Sequence, residues 1–370
     1  MQRVPASVGD GGATVDTPAL VVDLDALEAN LDAMAQAARA AGIRLRPHAK
    51  AHKCPAIAAM QIARGAVGVC CQKTDEATAF VEAGIGDVLV TNEVIVRPKL
   101  ARLAALARRA RIGVLCDDAR AVAAIAEAAT AAGAVIDIYV EVDVGGHRCG
   151  VAPGTAVGEL ARRIADAKGL RFAGLHCYQG AAQHLRAPAE RRAAIDAAAR
   201  AAIVARDACT ARGLAVDTIT GAGTGTFEFE IASGTWTELQ PGSYPFMDAD
   251  YARNAHAPGA MRFAQSLYVL STVMSTPAPS RAICDAGLKA FAFDSGLPQV
   301  AGRDGLTYVK ASDEHGVLDV GADAAATLWG ERVRLVPGHC DPTVNLYDWL
   351  VGMRGDRVEA VWPVMRGTIG

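Results

Sequence analysis

RLRPHAKAHK, residues 44–53, opens the series of strand-like runs on which the predicted fold rests. If its first half is a strand, Arg46, His48 and Lys50 lie on one face, because side chains alternate along a strand. Three basic groups on one face are not an ordinary core, since buried charges are costly without partners. We therefore expect an anionic or electrophilic group over that face. A lysine in such a place is a candidate for Schiff-base chemistry.

Seven further strand-like runs follow the first, and Ala-rich helical patterns separate most of them. The eight runs are 44–50, 67–71, 87–92, 111–117, 135–143, 171–178, 217–223 and 237–243. The helical patterns are 24–41, 97–110, 119–132, 155–168 and 187–212. Strands that alternate with helices in this way predict a (β/α)8 barrel over residues 17–258. An open, doubly wound sheet is the alternative.

The pattern changes beyond about residue 258. Short β-like runs separated by Gly, Pro and Asp lie at 266–274, 281–285, 306–310, 332–336 and 358–364. They predict a second, all-β domain over residues 259–370. The Gly-rich start, residues 1–16, is expected to be flexible or to belong to this β domain.

Composition restricts the classes of function. The chain has 370 residues, is 51% hydrophobic and has a net charge of −3, with no block of Lys and Arg. Nucleic-acid and membrane-surface binding are therefore disfavoured. We find no apolar run of membrane length and no signal peptide. The nine cysteines form no CxxC pair, which is typical of reduced thiols and predicts a cytoplasmic protein.

Barrel enzymes have their active sites at the C-terminal ends of the strands. Two of the predicted strand ends in this chain carry groups that suit an anionic, carbonyl-bearing ligand. Lys50 is the candidate imine-forming lysine, although a basic rim that binds a phosphorylated substrate without covalent chemistry is also consistent. Thr220–Thr226 reads TGAGTGT, and its glycines let backbone N–H groups approach a phosphate. Pro241–Tyr244 could complete that site. A tight loop without a ligand is the alternative.

Other rim residues suggest anion binding and proton transfer. Arg148 lies in the glycine-flanked loop after the fifth run, where it suits an anionic oxygen or is an ordinary surface arginine. Tyr178 and His184 flank a turn after the sixth run. A histidine there could transfer a proton, although loop histidines often have only structural roles.

PGHCDPT, residues 337–343, lies in the predicted β domain and contains a candidate metal site. His339 and Asp341 are two residues apart, so they can point the same way if the segment is extended. An imidazole and a carboxylate suit a divalent ion, with water or substrate as further ligands. A polar loop between prolines is the alternative.

Together these segments resemble the fold-type III pyridoxal-phosphate enzymes, in particular the branch of D-threonine aldolases and 3-hydroxy-D-aspartate aldolases. D-serine dehydratase is a neighbouring group. The resemblance runs from about Thr17 to the C-terminus. Its ordered motifs are DTPALVVDLDALEANL, RPHAKAHK, GVCCQK, TNEV, GGHRCGV, GAGTGTFEFE, ELQPGSYPFMDADY, DAGLKA, SDEHGV and VPGHCDPT.

The resemblance implies that Lys50 holds pyridoxal 5′-phosphate and that Arg148 lies near the phenolic oxygen of the cofactor. Gln240 stands where the related alanine racemases have an arginine facing the pyridine nitrogen, so a neutral partner is expected there. The residues expected around the phosphate and the cofactor are Gly223, Thr224, Gly242, Ser243, Tyr244 and Tyr178.

The resemblance also implies a reaction, the retro-aldol cleavage of a D-3-hydroxy amino acid to glycine and an aldehyde. His339 and Asp341 would bind Mn²⁺, Mg²⁺ or Co²⁺, and the ion would lower the pKa of the substrate β-hydroxyl. His184 would take the hydroxyl proton, while Tyr178 and Asp313 would position the reactants.

Three alternatives accompany the aldolase prediction. The dehydratase branch tends to have His-x-Cys where this chain has His339-Cys-Asp341, which favours the aldolase. A non-catalytic carrier of pyridoxal phosphate would have no reason to keep a metal-binding β domain. Gln240 and the HCD segment fit a metal-independent racemase poorly. The resemblance further implies a homodimer with sites near its interface.

Overall fold

The computed structural model describes residues 3–321 and 325–366. The chain enters through strand β1 (Ala19–Asp23) and helix α1 (Leu24–Ala40). Asp23 caps this helix, since its side chain accepts a hydrogen bond from the backbone N–H of Ala26 at 3.1 Å. Leu27, Leu31 and Met34 recur at helical spacing and are buried.

All eight strand-like runs form strands of one parallel sheet. In chain order the strands are β2 (Arg44–Leu45), β3 (Val69–Cys71), β4 (Asp87–Glu93), β5 (Arg111–Cys116), β6 (Ile136–Glu141), β7 (Leu170–Cys177), β8 (Ile219–Gly221) and β9 (Glu238–Leu239). Their order in the sheet is β2-β9-β8-β7-β6-β5-β4-β3.

The sheet closes on itself between its first and last strands. His48 forms a parallel bridge with Cys70. The N–H of Ala49 donates to the carbonyl of Cys70 at 2.7 Å. The N–H of Cys70 donates to the carbonyl of Pro47 at 2.8 Å. This closure confirms the (β/α)8 barrel and rules out the open sheet.

Helices surround the barrel. Some of them fall on the predicted helical patterns, and others lie between these patterns in the sequence. They are α2 (Pro55–Ala63), α3 (Thr74–Glu82), α4 (Arg97–Leu106), α5 (Ala119–Ala132), α6 (Thr155–Asp166), α7 (Pro188–Thr210), α8 (Phe227–Ser233) and α9 (Ala249–Ala252). No helix in residues 3–321 and 325–366 has the length and apolarity that a membrane crossing requires.

The remaining strands form a second, mainly antiparallel sheet. They are β10 (Leu267–Ala278), β11 (Arg281–Cys284), β12 (Gln299–Val300), β13 (Leu306–Ala311), β14 (Gly316–Val320), β15 (Arg332–Val336), β16 (Trp349–Arg354) and β17 (Arg357–Pro363). Strand β1 lies between β10 and β16, so the start of the chain completes this sheet. The domain boundary at 258/259 stays a prediction.

The N-terminal segment contacts the same sheet. The N–H of Gly9 donates to the carbonyl of Val358 at 2.9 Å, and that of Gly12 donates to the carbonyl of Asp356 at 2.8 Å. This segment therefore contacts the β sheet, and its assignment to a domain stays a prediction.

The basic face of the first barrel strand finds its partners inside the barrel. Arg46 is 3% exposed, and its Nε lies 3.0 Å from Oε1 of Glu238 while its Nη1 lies 2.6 Å from Oδ1 of Asp87. His48 pairs instead with the hydroxyl of Thr91 at 2.8 Å. Arg46 and His48 thus have partners within the barrel, and Lys50 lies farthest along the strand direction.

Candidate active site

Most of the predicted site residues meet in one cavity at the C-terminal ends of the barrel strands. The cavity has an empty volume of about 480 Å³. The predicted residues that line it are Lys50, Arg148, Tyr178, Gly223, Thr224, Gln240, Gly242 and Ser243. Chain segments far apart in sequence are therefore brought together as the barrel geometry requires.

Lys50, on the cavity wall, forms an ion pair with a residue of the β domain. Its Nζ lies 2.9 Å from Oδ2 of Asp341, whose side chain is 13% exposed. The Asp341 carboxylate raises the pKa of the Lys50 amine. Burial alone would raise the pKa of Asp341, but Lys50 and then His339 outweigh burial and lower it.

Backbone hydrogen bonds hold the segment around His339 against the barrel. The N–H groups of Ala249 and Asp250 donate to the carbonyls of Pro337 at 3.0 Å and Gly338 at 3.1 Å. The buried carboxylate of Asp248 accepts from the N–H of Cys340 at 2.8 Å. The short helix α9 thus places a β-domain segment over the barrel mouth.

Residues 339–341 are not fully extended, which was the condition for His339 and Asp341 to point the same way. His339 is the N-cap of the short helix α10 (Cys340–Val344), so Asp341 lies in the first turn of a helix. The two side chains diverge in their partners: Nδ1 of His339 pairs with Oδ2 of Asp294 at 2.7 Å, whereas Asp341 faces Lys50. Cys340 is buried, with Sγ 3.3 Å from Oδ1 of Asp341.

These donors fit a divalent ion in kind but offer few protein ligands. With Nδ1 held by Asp294, His339 keeps Nε2 for a metal, as metal-binding histidines commonly do. Asp341 supplies carboxylate oxygen. Within residues 3–321 and 325–366, three metal-binding side chains converge within 4.8 Å elsewhere, at Glu93, Asp117 and Cys149. The predicted site therefore depends on two protein ligands plus solvent or substrate.

The glycine-rich loop forms a cradle that suits a phosphate. The backbone N–H groups of Gly223, Thr224 and Gly242 line the cavity without an acceptor among the described residues. A side chain at Gly242 would crowd His48, because a Cβ there would lie 3.1 Å from the His48 carbonyl oxygen. Free N–H groups on such a loop form an anion site.

Gln240 is held in one orientation by buried neighbours. Its Oε1 lies 3.0 Å from Nε2 of His176, and its Nε2 donates to Oγ1 of Thr220 at 2.7 Å. The other nitrogen of His176 pairs with the buried carboxylate of Glu141. Burial opposes the charged imidazole, but Glu141 outweighs burial and raises the pKa of His176. The amide therefore presents a neutral group to the cavity.

Arg148 and Tyr178 lie side by side on the cavity wall. The guanidinium carbon of Arg148 is 5.9 Å from the centroid of the Tyr178 ring, and its Nη2 is 3.7 Å from Oε1 of Glu141. Burial raises the pKa of the Tyr178 hydroxyl, although Lys50 and Arg148 oppose that shift. A protonated phenol and a cation are thus available near Lys50.

His184 lies at the rim rather than on the cavity wall. Its Nδ1 pairs with Oδ2 of Asp250 at 2.5 Å, and its ring centroid is 5.5 Å from that of Tyr251, which does line the cavity. Arg186 also binds Asp250. Burial alone would raise the pKa of Asp250, but Arg186, Arg253 and His184 outweigh burial and lower it to about 2. An ionised Asp250 thus orients the imidazole.

Tyr244 and Asp313 also lie outside the cavity wall. Tyr244 is 1% exposed, and its hydroxyl accepts a hydrogen bond from Nε2 of Gln61 at 3.0 Å within the apolar core. Asp313 lies in the exposed turn between β13 and β14, where its carbonyl accepts from the N–H of Lys289. Their roles toward phosphate and substrate stay predictions.

Sequence reasoning missed the residues that orient the predicted ones. Tyr251, Asp250, Asp248 and Glu141 were not singled out, yet they line the cavity or hold the side chains that line it. The acidic pair in Asp248–Tyr251 directly after the eighth strand was an available signal, because polar groups at barrel strand ends are candidates for the site.

Known proteins resemble the chain over nearly its whole length. Residues 22–250 match the alanine racemase N-terminal domain, and residues 266–353 match the serine dehydratase domain. D-threonine aldolase of Arthrobacter sp is 51% identical over 97% of this chain and 95% of that protein. 3-hydroxy-D-aspartate aldolase of Paracoccus denitrificans (strain Pd 1222) is 47% identical over 98% and 94%.

Two further comparisons separate aldolase from dehydratase relatives. The crystal structure of D-threonine aldolase from Filomicrobium marinum superposes with a TM-score of 0.97 at 50% identity, covering 99% of this chain and all of that one. D-threo-3-hydroxyaspartate dehydratase of Delftia sp. (strain HT23) is 31% identical over 96% of this chain and 98% of that protein. The chain belongs to the alanine racemase N-terminal domain family, in the group that contains D-threonine aldolase and 3-hydroxy-D-aspartate aldolase.

Proposed function

We propose that the protein is a carbon–carbon lyase that cleaves D-3-hydroxy amino acids to glycine and an aldehyde, with pyridoxal 5′-phosphate and a divalent metal ion. The substrate class includes D-threonine, D-allo-threonine, 3-hydroxy-D-aspartate and D-phenylserine. The high identity to two aldolases over the whole chain supports this assignment.

One observation of the structure carries the proposal. Nζ of Lys50 lies 2.9 Å from a carboxylate oxygen of Asp341, in a cavity that also contains the glycine-rich cradle. A reactive amine, an anion cradle and a candidate metal ligand thus share one small space. Reactions of amino acids on pyridoxal phosphate need the amine and the cradle, and activation of a β-hydroxyl is the task for which the metal ligand is suited.

The residues of the cavity fit the cofactor. Lys50 would hold it covalently, while the free N–H groups of Gly223 and Gly242 would receive its phosphate. When bound, pyridoxal phosphate supplies the electron sink for the pair left at Cα when the Cα–Cβ bond breaks. Gln240, which carries no charge, would leave the pyridine nitrogen unprotonated and that sink weaker.

If the cofactor is a weaker electron sink, cleavage depends more on activation of the substrate β-hydroxyl. His339 and Asp341 would hold the divalent ion that lowers the pKa of this hydroxyl. Their nitrogen and oxygen donors suit Mn²⁺, Mg²⁺ or Co²⁺, and the choice among these depends on metal availability. A dehydratase relative that was solved as a cysteine-to-alanine variant in a metal-free form supports metal use in this group of folds.

His184 is the base that we assign to the hydroxyl proton. Asp250 holds Nδ1 at 2.5 Å, so Nε2 is the nitrogen left to accept a proton. This is the arrangement of a carboxylate that orients an imidazole without taking its proton. Tyr178, protonated beside Lys50, would position the reacting groups.

We further propose that the protein works as a cytoplasmic homodimer. All nine cysteines are free, as expected in a reducing compartment. Asp313 lies on an exposed turn, outside the cavity of its own chain. A role for it in the reaction would therefore come from a second copy of the chain, as the resemblance implies for this family.

The dehydration of D-serine or D-threonine to a 2-oxo acid and ammonia is the second candidate. It is favoured by the match of residues 266–353 to the serine dehydratase domain. It is disfavoured by Asp341, since the resemblance to the dehydratase branch would put a cysteine two residues after His339. A carrier of pyridoxal phosphate without catalysis is a minor alternative.

The Lys50→Ala variant tests the proposal. It should lose both the visible absorbance of the covalently held cofactor and the cleavage of D-threonine, because no other lysine lines the cavity in the described part of the chain. Lys53→Ala is the matched control, since Lys53 pairs with Glu76 away from the cavity. An active Lys50→Ala variant that keeps the absorbance would overturn the assignment.

A further inference from the structure

A chain of three buried side chains runs behind the glycine-rich loop. Oε1 of Gln183 accepts a hydrogen bond from the N–H of Gly225 at 2.9 Å. Nε2 of Gln183 donates to Oγ1 of Thr226 at 2.8 Å, and that hydroxyl donates to Oε1 of Glu230 at 2.8 Å. The donor and acceptor roles therefore run in one direction, from the loop to the carboxyl group of Glu230.

The loop is closely fitted to this chain. A Cβ at Gly223 would lie 2.3 Å from Oε1 of Gln183, so the loop wraps around the amide. The backbone of Gln183 is held in turn, because its main-chain carbonyl accepts from Nδ2 of Asn254 at 2.9 Å. The position of the Gln183 amide thus determines where the N–H groups of Gly223 and Thr224 point.

Glu230 lies in a place that disfavours charge. Its side chain is 0% exposed, and its Oε2 has no hydrogen-bond partner among the described residues. Burial raises the pKa of Glu230 to about 8, although the Thr226 hydroxyl opposes the shift. At neutral pH the group is therefore a neutral carboxylic acid.

The titratable and charged groups near Glu230 come from three elements. Arg191 and Arg192 are on α7, which packs against α8, and Glu228 is on α8 itself. Arg192 lies over the Phe229 ring, and Glu228 accepts from the N–H of Met261. Tyr178, after β7, is the group whose pKa Glu230 helps to raise. None of the described cations forms an ion pair with Glu230.

We propose that Glu230 is a positioning residue for the cofactor phosphate, which in its neutral form fixes the phosphate loop through Thr226 and Gln183. The proposal rests on the proposed function, since it takes pyridoxal phosphate as the ligand of the loop. The loop residues on the cavity wall, Ala222–Thr224 and Gly242–Ser243, carry no positive charge. An ionised carboxylate two side chains behind them would repel a phosphate, and these loop residues offer no cation to compensate.

Binding of two ligands to the full-length chain tests this role, with cofactor absorbance and fluorescence as readouts. The ligands are pyridoxal phosphate and pyridoxal, which lacks the phosphate. For the wild type, we expect the Kd of pyridoxal phosphate to rise about tenfold between pH 7 and pH 9.5 as Glu230 ionises. Glu230→Gln keeps an acceptor for the Thr226 hydroxyl and cannot ionise. Its Kd for pyridoxal phosphate should match that of the wild type within about twofold at pH 7, and it should lack the rise between pH 7 and pH 9.5 that ionisation of Glu230 causes.

Controls separate this effect from other titrations. Pyridoxal should bind the wild type and Glu230→Gln alike at both pH values, because the repulsion acts on the phosphate. Glu228→Gln, on the same helix, should follow the wild type. Glu230→Ala should weaken pyridoxal phosphate binding at both pH values by about fivefold, since the Thr226 hydroxyl loses its acceptor.

Two results would overturn the proposal: a Glu230→Gln variant whose Kd follows that of the wild type at pH 9.5, or an equal effect on pyridoxal. Glu230→Gln decides the matter even if Glu230→Ala does not fold. If the wild-type chain binds no pyridoxal phosphate at any pH, the proposed function fails instead, so the two failures are distinguishable.

Discussion

Lys50 and Asp341 are nearly 300 positions apart in the sequence, and their charged atoms lie 2.9 Å apart. The first comes from the first barrel strand and the second from the β domain. Each carries the charge that the other stabilises: the lysine lowers the pKa of the carboxyl, and the carboxylate raises that of the amine. This contact joins the group that we assign to the cofactor with the group that we assign to the metal.

Removal of the Asp341 carboxylate should abolish metal-dependent turnover. Asp341→Asn should lower kcat/KM for D-threonine by about a hundredfold or more and leave the remainder insensitive to chelator. Asp294→Asn, which affects only the partner of His339, should cost about tenfold in metal affinity. Steady-state kinetics across a Mn²⁺ titration measure both values. A variant of Asp341 that keeps full metal stimulation would contradict the assignment.

Loss of the carboxylate behind His184 should slow the reaction without releasing the cofactor. We expect Asp250→Asn and His184→Gln each to lower kcat by about a hundredfold, as for a general base, while cofactor absorbance stays unchanged. The double variant should be hardly slower than either single variant, because the two residues act as a unit. Additive losses would show that Asp250 has a separate, structural role through Arg186 and Arg253.

The buried pair inside the barrel should matter for stability and not for catalysis. Glu238→Ala leaves Arg46 buried without the more buried of its two carboxylate partners, which should reduce the free energy of unfolding by about 3 kcal/mol. Asp166→Ala, which breaks an exposed pair with Arg162, should cost less than about 1 kcal/mol. Urea denaturation measures both values, and equal losses would refute the structural role.

Glu230 should make stability depend on pH in a defined direction. Its pKa rises from 4.5 in the unfolded chain to about 8 in the folded protein, so between these values the folded state binds the extra proton. The wild type should therefore lose stability as pH rises through this window and level off above it. The Tm of Glu230→Gln minus the Tm of the wild type should therefore increase from pH 5 to pH 8. A constant difference would contradict the buried, neutral acid.

The barrel could be predicted from sequence because its signal is local. Most of the strand-like runs are short and apolar, and helical patterns separate most of them, so the runs could be identified one at a time. Strand β1 (Ala19–Asp23) was missed as part of the second sheet. Its partners are β10 (Leu267–Ala278) and β16 (Trp349–Arg354), and no local pattern reveals pairing over such a separation.

The site was predictable to a similar extent. Lys50 and the glycine-rich loop follow from their places at strand ends, and His339 and Asp341 were candidate metal ligands from their residue types and spacing. The part of the metal in the reaction came from the resemblance. The geometry of residues 339–341 was not inferred: a short helix, α10, begins at Cys340 directly after His339. Asp250 was missed because its contact with His184 spans 66 positions.

Product analysis tests the central claim most directly. The purified protein with pyridoxal phosphate and Mn²⁺ is incubated with D-threonine and with 3-hydroxy-D-aspartate, each with and without chelator, and glycine, aldehyde, ammonia and 2-oxo acid are measured. We predict glycine and aldehyde in equal amounts, with loss of both on chelation. Ammonia and a 2-oxo acid in place of glycine would contradict the aldolase assignment, and glycine production that chelator does not reduce would contradict the role of His339 and Asp341.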